Sequence, residues 1–446
     1  MNRFFKIIKV IGISILIVAF LFILFWDFDK ENDNIPGITT LKYWYISGAK
    51  DELPYQALKF DSLRDDIKMK VTGIPWQENE KKVLTSILGG NPPDVVTQVT
   101  PVVKWASRNA LVSLDKYIKR DNFDSTVFFP ALWREMSYNN EIYAIPFNTA
   151  SYALFYNKRL FREAGLDPNK PPKTWNQVKK YSKKLLRKNE KGNIIQIGYL
   201  PDYYKLQTVT IMAWELEAPF YNDDKTRINL TDPKMVRVFQ WLSDFYKDYS
   251  LNKILAFEAG FGNANQHGFI SEKVAMVVLS SSFPDQIKKY KSDLDYGVAK
   301  IPTFPGFKTA SSAGIWWLAI PRGAKHPDKG WEFIKFSTSK KIALESIKKM
   351  ESNLFPANKL AATDSSFLKN KRDKIFIENM KYAHSPAIIP LVHDAFWREF
   401  IGVQENVKYG ANPLEELKNA EKTIQREYKT ALSYDKFVQQ EMKIDK

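Results

Sequence analysis

Cysteine is absent from this chain, and histidine occurs only at positions 267, 326, 384 and 393. Thiolate nucleophiles, thiolate metal ligands, disulfides and a lipid-modified N-terminal Cys are thereby excluded. No two of the four histidines stand at zinc-ligand spacing, so neither a metal site nor a cofactor is expected. The chain contains no G-x-S-x-G elbow, P-loop, H-E-x-x-H or G-x-G-x-x-G. Its 50 Asp and Glu leave a glycosidase-type carboxylate pair open, because such a pair is defined by distance in space. Solvated surface acids account for most of them. What the residue types favour is non-covalent binding. Twelve Trp and a 14% aromatic content supply flat apolar faces, while hydroxyl and amide side chains supply hydrogen bonds. Most of these rings must be core; Trp241 and Trp331 sit on amphipathic helix faces and are read as packing.

The elements that would position such residues belong to a folded protein of more than one domain, since 446 residues exceed what one core usually serves. Lys and Arg outnumber Asp and Glu by 66 to 50, a net charge of +16. The lysines are scattered along helical stretches such as Lys179–Lys188, with no basic block interleaved with aromatics, so nucleic-acid binding is not expected. A basic surface close to anionic lipid head groups accounts better for the charge.

The N-terminus argues the compartment. Arg3, Lys6 and Lys9 precede Val10–Trp26, 17 residues without a charge, and Asp27, Asp29 and Glu31 follow. Counted from Ile7 the apolar run reaches 20 residues, roughly 30 Å as a helix and enough to span a hydrocarbon core. The charge asymmetry places the N-terminus inside. A cleaved signal peptide is the alternative; the length of the run and the lack of an A-x-A-like site favour a retained transmembrane anchor. Residues 1–9 are then a cytoplasmic basic end, 10–26 the anchor and 27–40 a polar linker.

Beyond the linker, strand and helix signals alternate. Leu41–Ile46 reads as a strand. Thr174-Trp175-Asn176-Gln177 is a capping box, and Asp232-Pro233 and Asn412-Pro413 open helices with Pro at the first position. Short apolar runs at Val95–Val96, Ile142–Ile145, Val274–Leu279 and Trp316–Ile320 lie between them. This alternation implies α/β domains.

Between these elements the chain resembles family 1 extracellular solute-binding proteins, the maltose- and glycerol-phosphate-binding group. Lys82–Val96 (KVLTSILGGNPPDVV) looks like that family's helix, Gly-rich break and Pro-Asp-hydrophobic strand. Asn140–Pro146 (NEIYAIP), Phe155–Gly165 (FYNKRLFREAG) and Pro171–Trp175 (PPKTW) are similar to its next signatures, with Asn140-Glu141 departing from the usual Asn-Gly. Phe269–Phe283 (FISEKVAMVVLSSSF) follows, with Ser282 where relatives often carry Trp. Tyr296–Pro302, Gly314–Ile320 and Asp328–Ser337 come after it in family order.

The resemblance implies an α/β, two-lobed periplasmic-binding-protein-like fold of type II, with an interlobe ligand cleft and, here, an N-terminal transmembrane helix. Lobe 1 is expected to comprise 41–147 and 297–352, lobe 2 148–296 and 353–434, and the tail 435–446. The expected crossings lie near Pro146–Thr149, Tyr296–Ala299 and Met350–Pro356. The implied role is that of an extracytoplasmic binding component of an ABC importer. It would capture a carbohydrate by hinge closure at the outer face of the cytoplasmic membrane and deliver it to permease subunits, without being an enzyme. A ligand-sensing receptor of the same fold, a sugar-phosphate binder and, more distantly, a tethered glycan-acting enzyme are the alternatives.

A sugar offers C–H faces to aromatic rings and rim hydroxyls to fixed polar groups. The expected ligand-binding residues accordingly lie at strand ends and crossings. They are Trp44 and Ser47, Thr97 and Gln98, Asn148 and Thr149, Tyr203 and Tyr204, Ser281, Ser282 and Phe283, and Gly314 with Trp316 or Trp317 beside it. Trp397, which resembles a stacking Trp of the maltose-binding members, ranks first. No Lys or Arg falls at these positions except Arg398, beside Trp397, which favours a neutral oligosaccharide over a sugar phosphate.

Overall fold

The computed structural model describes residues 36–47, 53–222, 226–349, 354–368, 371–384 and 391–444. β1 (Thr39–Ser47) alternates buried Leu41 and Tyr43 with half-exposed neighbours, the pattern of a strand covered mainly on one face. It runs parallel to β2 (Ile67–Pro75) on one side and to β3 (Val95–Gln98) on the other. β4 (Ser137–Tyr138) and β5 (Glu141–Ile142) form a separate hairpin. Its two turn residues, Asn139 and Asn140, both have positive φ (49° and 65°), so Asn supplies the left-handed conformations that a two-residue turn requires.

β6 (Ile145–Asn157) is buried along nearly its whole length, as a central strand must be. β7 (Arg187–Lys188), β8 (Ile194–Tyr199), β9 (Val274–Ser280), β10 (Tyr296–Ala299), β11 (Ser311–Ala319), β12 (Phe355–Pro356) and β13 (Ala383–His384) complete an 11-stranded sheet. Its order is β2-β1-β3-β11-β6-β9-β8-β7, with β10 and β12 also on β6 and β13 on β11.

β6 changes partners midway. Ile145 to Ser151 pair with β11, and Tyr152 to Tyr156 pair with β9. Asn148 and Thr149 also pair with β12, and Leu154 to Asn157 with β10. One strand thus joins two sheet halves at Ser151–Tyr152, and Pro146–Thr149 lies wholly in the first half. Helix Lys371–Asn379 ties down the exchange point: Ser151 Oγ donates to Phe376 O (2.7 Å), and Asn379 Nδ2 donates to Tyr152 O (2.8 Å). The chain leaves the second half at β10 and re-enters the first at β11. Of Met350–Pro356, the described part ends in β12 on β6.

Helix starts follow local chemistry. Thr174 Oγ1 accepts from Gln177 N (3.2 Å), Asp232 Oδ1 from Lys234 N (2.8 Å) and Asn412 Oδ1 from Leu414 N (3.0 Å). Helix Trp175–Leu185 packs so closely on β8 that a Cβ on Gly198 would collide with the Ser182 backbone. Gly297 in β10 lies under the Tyr156 ring, which a Cβ would strike. Asp94, in the Pro-Pro-Asp segment, accepts the backbone N–H groups of Lys42 (2.8 Å) and His326 (2.7 Å), joining β1 to the start of helix Pro327–Thr338. Trp241 and Trp331 are both buried in the core.

No helix among the described residues is long and apolar enough to cross a membrane. Val10–Trp26, the expected transmembrane anchor, lies outside the described residues.

Candidate ligand-binding cleft

A cavity of about 680 Å³ opens where β6 exchanges partners. Both sheet halves line it. From the first come the loop after β3 (Val99–Val102) and the β11 residues Ser312–Ile315 and Trp317. The second contributes the end of β9 (Leu279, Ser280), then Ser282, Phe283 and Gln286. Tyr152, the first residue of β6 beyond the exchange, lies between them. Helix Gln207–Glu215 supplies Gln207, Thr210 and Trp214, and helix His393–Lys408 supplies His393 and Trp397.

The rings are held in different ways. Trp214 stacks on His384, with centroids 5.1 Å apart and planes inclined by 14°. Trp397 meets Phe396, Phe400 and His393 in T-shaped contacts, at 5.3, 6.1 and 6.2 Å, and no described ring stacks parallel to it. Trp317 is 1% exposed, and its Nε1 donates to Thr100 O (2.8 Å), which makes it a wall that fixes the Val99–Val102 loop.

The polar lining has open valences. Gln207 Nε2 and His393 Nδ1 are buried and have no hydrogen-bond partner among the described residues, a state that costs roughly 1–3 kcal/mol per group. Ser280 and Ser282 share one hydrogen bond between their hydroxyls (2.7 Å), which leaves one O–H to donate elsewhere. Burial lowers the pKa of His393, favouring the neutral ring. Glu135 is the one carboxylate, and Lys and Arg are absent, among the described lining residues. No cluster of His, Cys, Asp or Glu suited to a metal occurs among the described residues.

Of the residues expected from sequence, Tyr204, Ser282, Phe283, Gly314, Trp317 and Trp397 line this cavity. The others lie elsewhere. Trp44 faces helix Trp76–Leu88 in a separate groove beside Glu78 and Lys82. Ser47 pairs with Pro75 at the end of β1. Thr97 and Gln98 are buried, Thr97 Oγ1 against Tyr43 Oη (2.6 Å) and Gln98 against Asn79. Asn148 and Thr149 are buried inside β6, with Thr149 Oγ1 donating to Gly314 O (2.8 Å). Tyr203 accepts from Gly268 N (2.8 Å) behind Tyr204. Ser281 is 1% exposed. Trp316 packs near Ala150 and Leu354 and is not among the lining residues, whereas Trp317, beyond a register shift in β11, is.

Tyr152, Gln207, Thr210, Trp214, Gln286 and His393 escaped the sequence reading. A signal did exist for three of them: Gln207, Thr210 and Trp214 recur at spacings that put them on one face of helix Gln207–Glu215.

Two sheet halves joined through one continuous strand, with an aromatic cavity at the junction, define a two-lobed solute-binding protein. The family comparison agrees: residues 45–343 match the model of the bacterial extracellular solute-binding proteins, and the chain belongs to that family. It is similar to the sn-glycerol-3-phosphate-binding periplasmic protein UgpB of Brucella melitensis, 24% identical over 326 residues, covering 69% of this chain and 72% of that one. A UgpB of Shigella flexneri is 25% identical over 297 residues, 63% of this chain and 65% of its own length. Among solved structures, the sugar-binding protein MalE of Xanthomonas citri superposes with a TM-score of 0.73 at 18% identity, covering 88% of this chain and 98% of that one. The mannotriose-bound CpMnBP1 superposes with a TM-score of 0.71 at 25% identity, covering 86% of this chain and all of that one. The family is one of binding proteins, whose members serve ABC transporters.

Proposed function

We propose that this protein captures a neutral oligosaccharide in the cavity at the β6 exchange point and hands it to an ABC permease. One observation carries the reading. Trp214, Trp397, Tyr204 and Phe283 surround unpaired Gln207 Nε2 and His393 Nδ1, with no Lys or Arg among the described lining residues. Stacking faces with open hydrogen-bond valences suit a molecule with C–H faces and hydroxyl rims. A phosphate monoester would bring a double negative charge into a lining with no described Lys or Arg to receive it, which is the expected way to bind phosphate.

The binding residues in this reading are Tyr204, Ser282, Phe283, Gly314 and Trp397, joined by Tyr152, Gln207, Thr210, Trp214, Gln286 and His393. The two lobes are the sheet halves on either side of Ser151–Tyr152, and ligand draws them together by hinge motion, the mode of closure general to periplasmic binding proteins. Val10–Trp26 remains the anchor that keeps the receptor at the outer face of the membrane, a role that its length and flanking charges support. Mass spectrometry of the mature protein tests the anchor: a chain beginning near residues 27–36 would remove it.

Thermal-shift screening against neutral mono- and oligosaccharides and against glycerol phosphates tests the ligand class. A ligand at 100 times its Kd stabilises by about 2.7 kcal/mol. Stabilisation by neutral oligosaccharides is expected. A shift produced by phosphate esters alone would replace this reading with the one suggested by the glycerol-3-phosphate-binding relatives.

A further inference from the structure

His267 lies behind the cavity wall, 5% exposed and outside the lining. Its ring is packed against Phe283 (centroids 4.6 Å apart) and Tyr203 (4.8 Å). Its two nitrogens face different groups. Nδ1 is 3.2 Å from the backbone nitrogen of Phe269, and Nε2 is 2.7 Å from the hydroxyl oxygen of Tyr204.

These contacts set the direction of every hydrogen in the chain of bonds. A backbone N–H can only donate, so Nδ1 must be the bare, accepting nitrogen. Burial pushes the pKa of His267 down to about 4, so the ring is neutral near pH 7. A neutral imidazole with a bare Nδ1 carries its hydrogen on Nε2, and that hydrogen points at Tyr204 Oη. The opposite tautomer would set two hydrogens against each other between Nδ1 and Phe269. Tyr204 therefore accepts from behind, and its own O–H is left to donate. Tyr204 is 44% exposed and lines the cavity, so the free O–H is available on the ligand side.

We propose that His267 is a positioning residue that commits the Tyr204 hydroxyl to the donor role, making the adjoining subsite one for a hydrogen-bond acceptor such as an ether or hydroxyl oxygen of the bound molecule. The inference rests on the cavity being the ligand site. It adds a preference: an acceptor oxygen beside Tyr204 receives the committed O–H, whereas a group that can only donate, such as an ammonium, forgoes it. Tyr203 supports the arrangement, because its own hydroxyl is held by Gly268 N (2.8 Å) and leaves Nε2 to Tyr204.

Nitrogen NMR of the full chain labelled with ¹⁵N-histidine tests the first half without any ligand. With four histidines, comparison with H267Q assigns the His267 signals. Nδ1 bare and Nε2 protonated between pH 6 and 8 is the expected result; a hydrogen on Nδ1 overturns the proposal. Calorimetry with mannotriose and maltotriose tests the second half. Tyr204→Phe, an exposed change that leaves the fold intact, is expected to weaken binding roughly 5- to 10-fold, the size of one hydrogen bond. His267→Leu is expected to weaken it less, and the double variant no more than Tyr204→Phe alone, because both remove the same directed donor. Additive losses mark His267 as merely structural and overturn the proposal. If neither trisaccharide binds, the oligosaccharide reading fails, while the NMR result still decides the tautomer.

Discussion

Trp214 lies flat on the imidazole of His384, 5.1 Å between centroids with the planes 14° apart. The histidine belongs to β13, which pairs with β11, whereas Trp214 sits on helix Gln207–Glu215. One face of the indole is thus covered by protein, while the side chain also lines the cavity. Trp214→Ala is expected to lower oligosaccharide affinity by roughly 10-fold, the loss of about 1.4 kcal/mol. Isothermal calorimetry would read this directly, and an unchanged Kd with the far-ultraviolet circular dichroism intact would return Trp214 to the packing residues.

Trp397 has only T-shaped ring neighbours among the described residues. Its indole lines the cavity with no ring stacked parallel to it, which suits it to stack on a ligand. Trp397→Ala should cost about 2–3 kcal/mol of binding, or roughly 30- to 150-fold in Kd. Trp397→Phe should recover part of that loss, since a smaller ring still offers a face. If both variants bind like the parent, stacking at this position is disproved.

Glu215 ends the helix that carries Trp214. It is 4% exposed, and Trp175 Nε1 donates to its Oε2 (2.8 Å). Burial raises its pKa from 4.5 to about 8, with hydrogen bonds from Trp175 and from the Phe304 backbone opposing. A raised folded-state pKa means a stability contribution fully present below pH 4.5 and lost as pH rises through 8. Across that window the loss reaches up to about 1.4 kcal/mol per pH unit. Glu215→Gln keeps a neutral amide in place, so the variant should gain on the parent steadily from about pH 5 to about pH 8. Denaturant melts at several pH values would show it; parallel curves for the two proteins would mean that Glu215 is ionised in the fold.

Gly198 and Gly297 are held to glycine by contact rather than by backbone angle. A Cβ at Gly198 meets the Ser182 backbone, and one at Gly297 meets the Tyr156 ring. Overpacking of this kind typically costs about 1–3 kcal/mol. Gly198→Ala should fall toward the upper end, because the obstructing atoms are backbone. Gly297→Ala should be milder, since the Tyr156 ring can move. Urea denaturation of the two variants would rank them, and the reverse order would contradict this account.

Much of the fold is legible in the sequence. Capping residues name their own helix starts, because a cap bonds within three residues of itself, and Thr174, Asp232 and Asn412 all do so. The Pro-Pro-Asp segment identified a strand start, though the reason for Asp94 emerged only with the backbone N–H groups of Lys42 and His326 around it. The cleft was harder. Trp316 and Trp317 are adjacent, and which one faces the cavity depends on strand parity and on the register shift between them. Thr97 and Gln98 end β3 just before the cavity-lining loop yet are taken up by Tyr43 and Asn79, partners distant in sequence.

By itself the sequence determined the local and compositional facts: no thiol chemistry, an α/β alternation, ordered family motifs along most of the chain, and an N-terminal apolar run with asymmetric charges. These depend on neighbours within a few residues or on totals. Only the tertiary structure decided that β6 changes partners at Ser151–Tyr152, that Tyr152, Trp214 and His393 meet Tyr204 and Trp397 there, and that Asn148 and Thr149 are sealed within the sheet. A side chain mid-strand or on an apolar helix reads as core from its periodicity. It becomes a binding group only when the element packed against it is withdrawn, and that withdrawal is a property of how the two sheet halves are set about their shared strand.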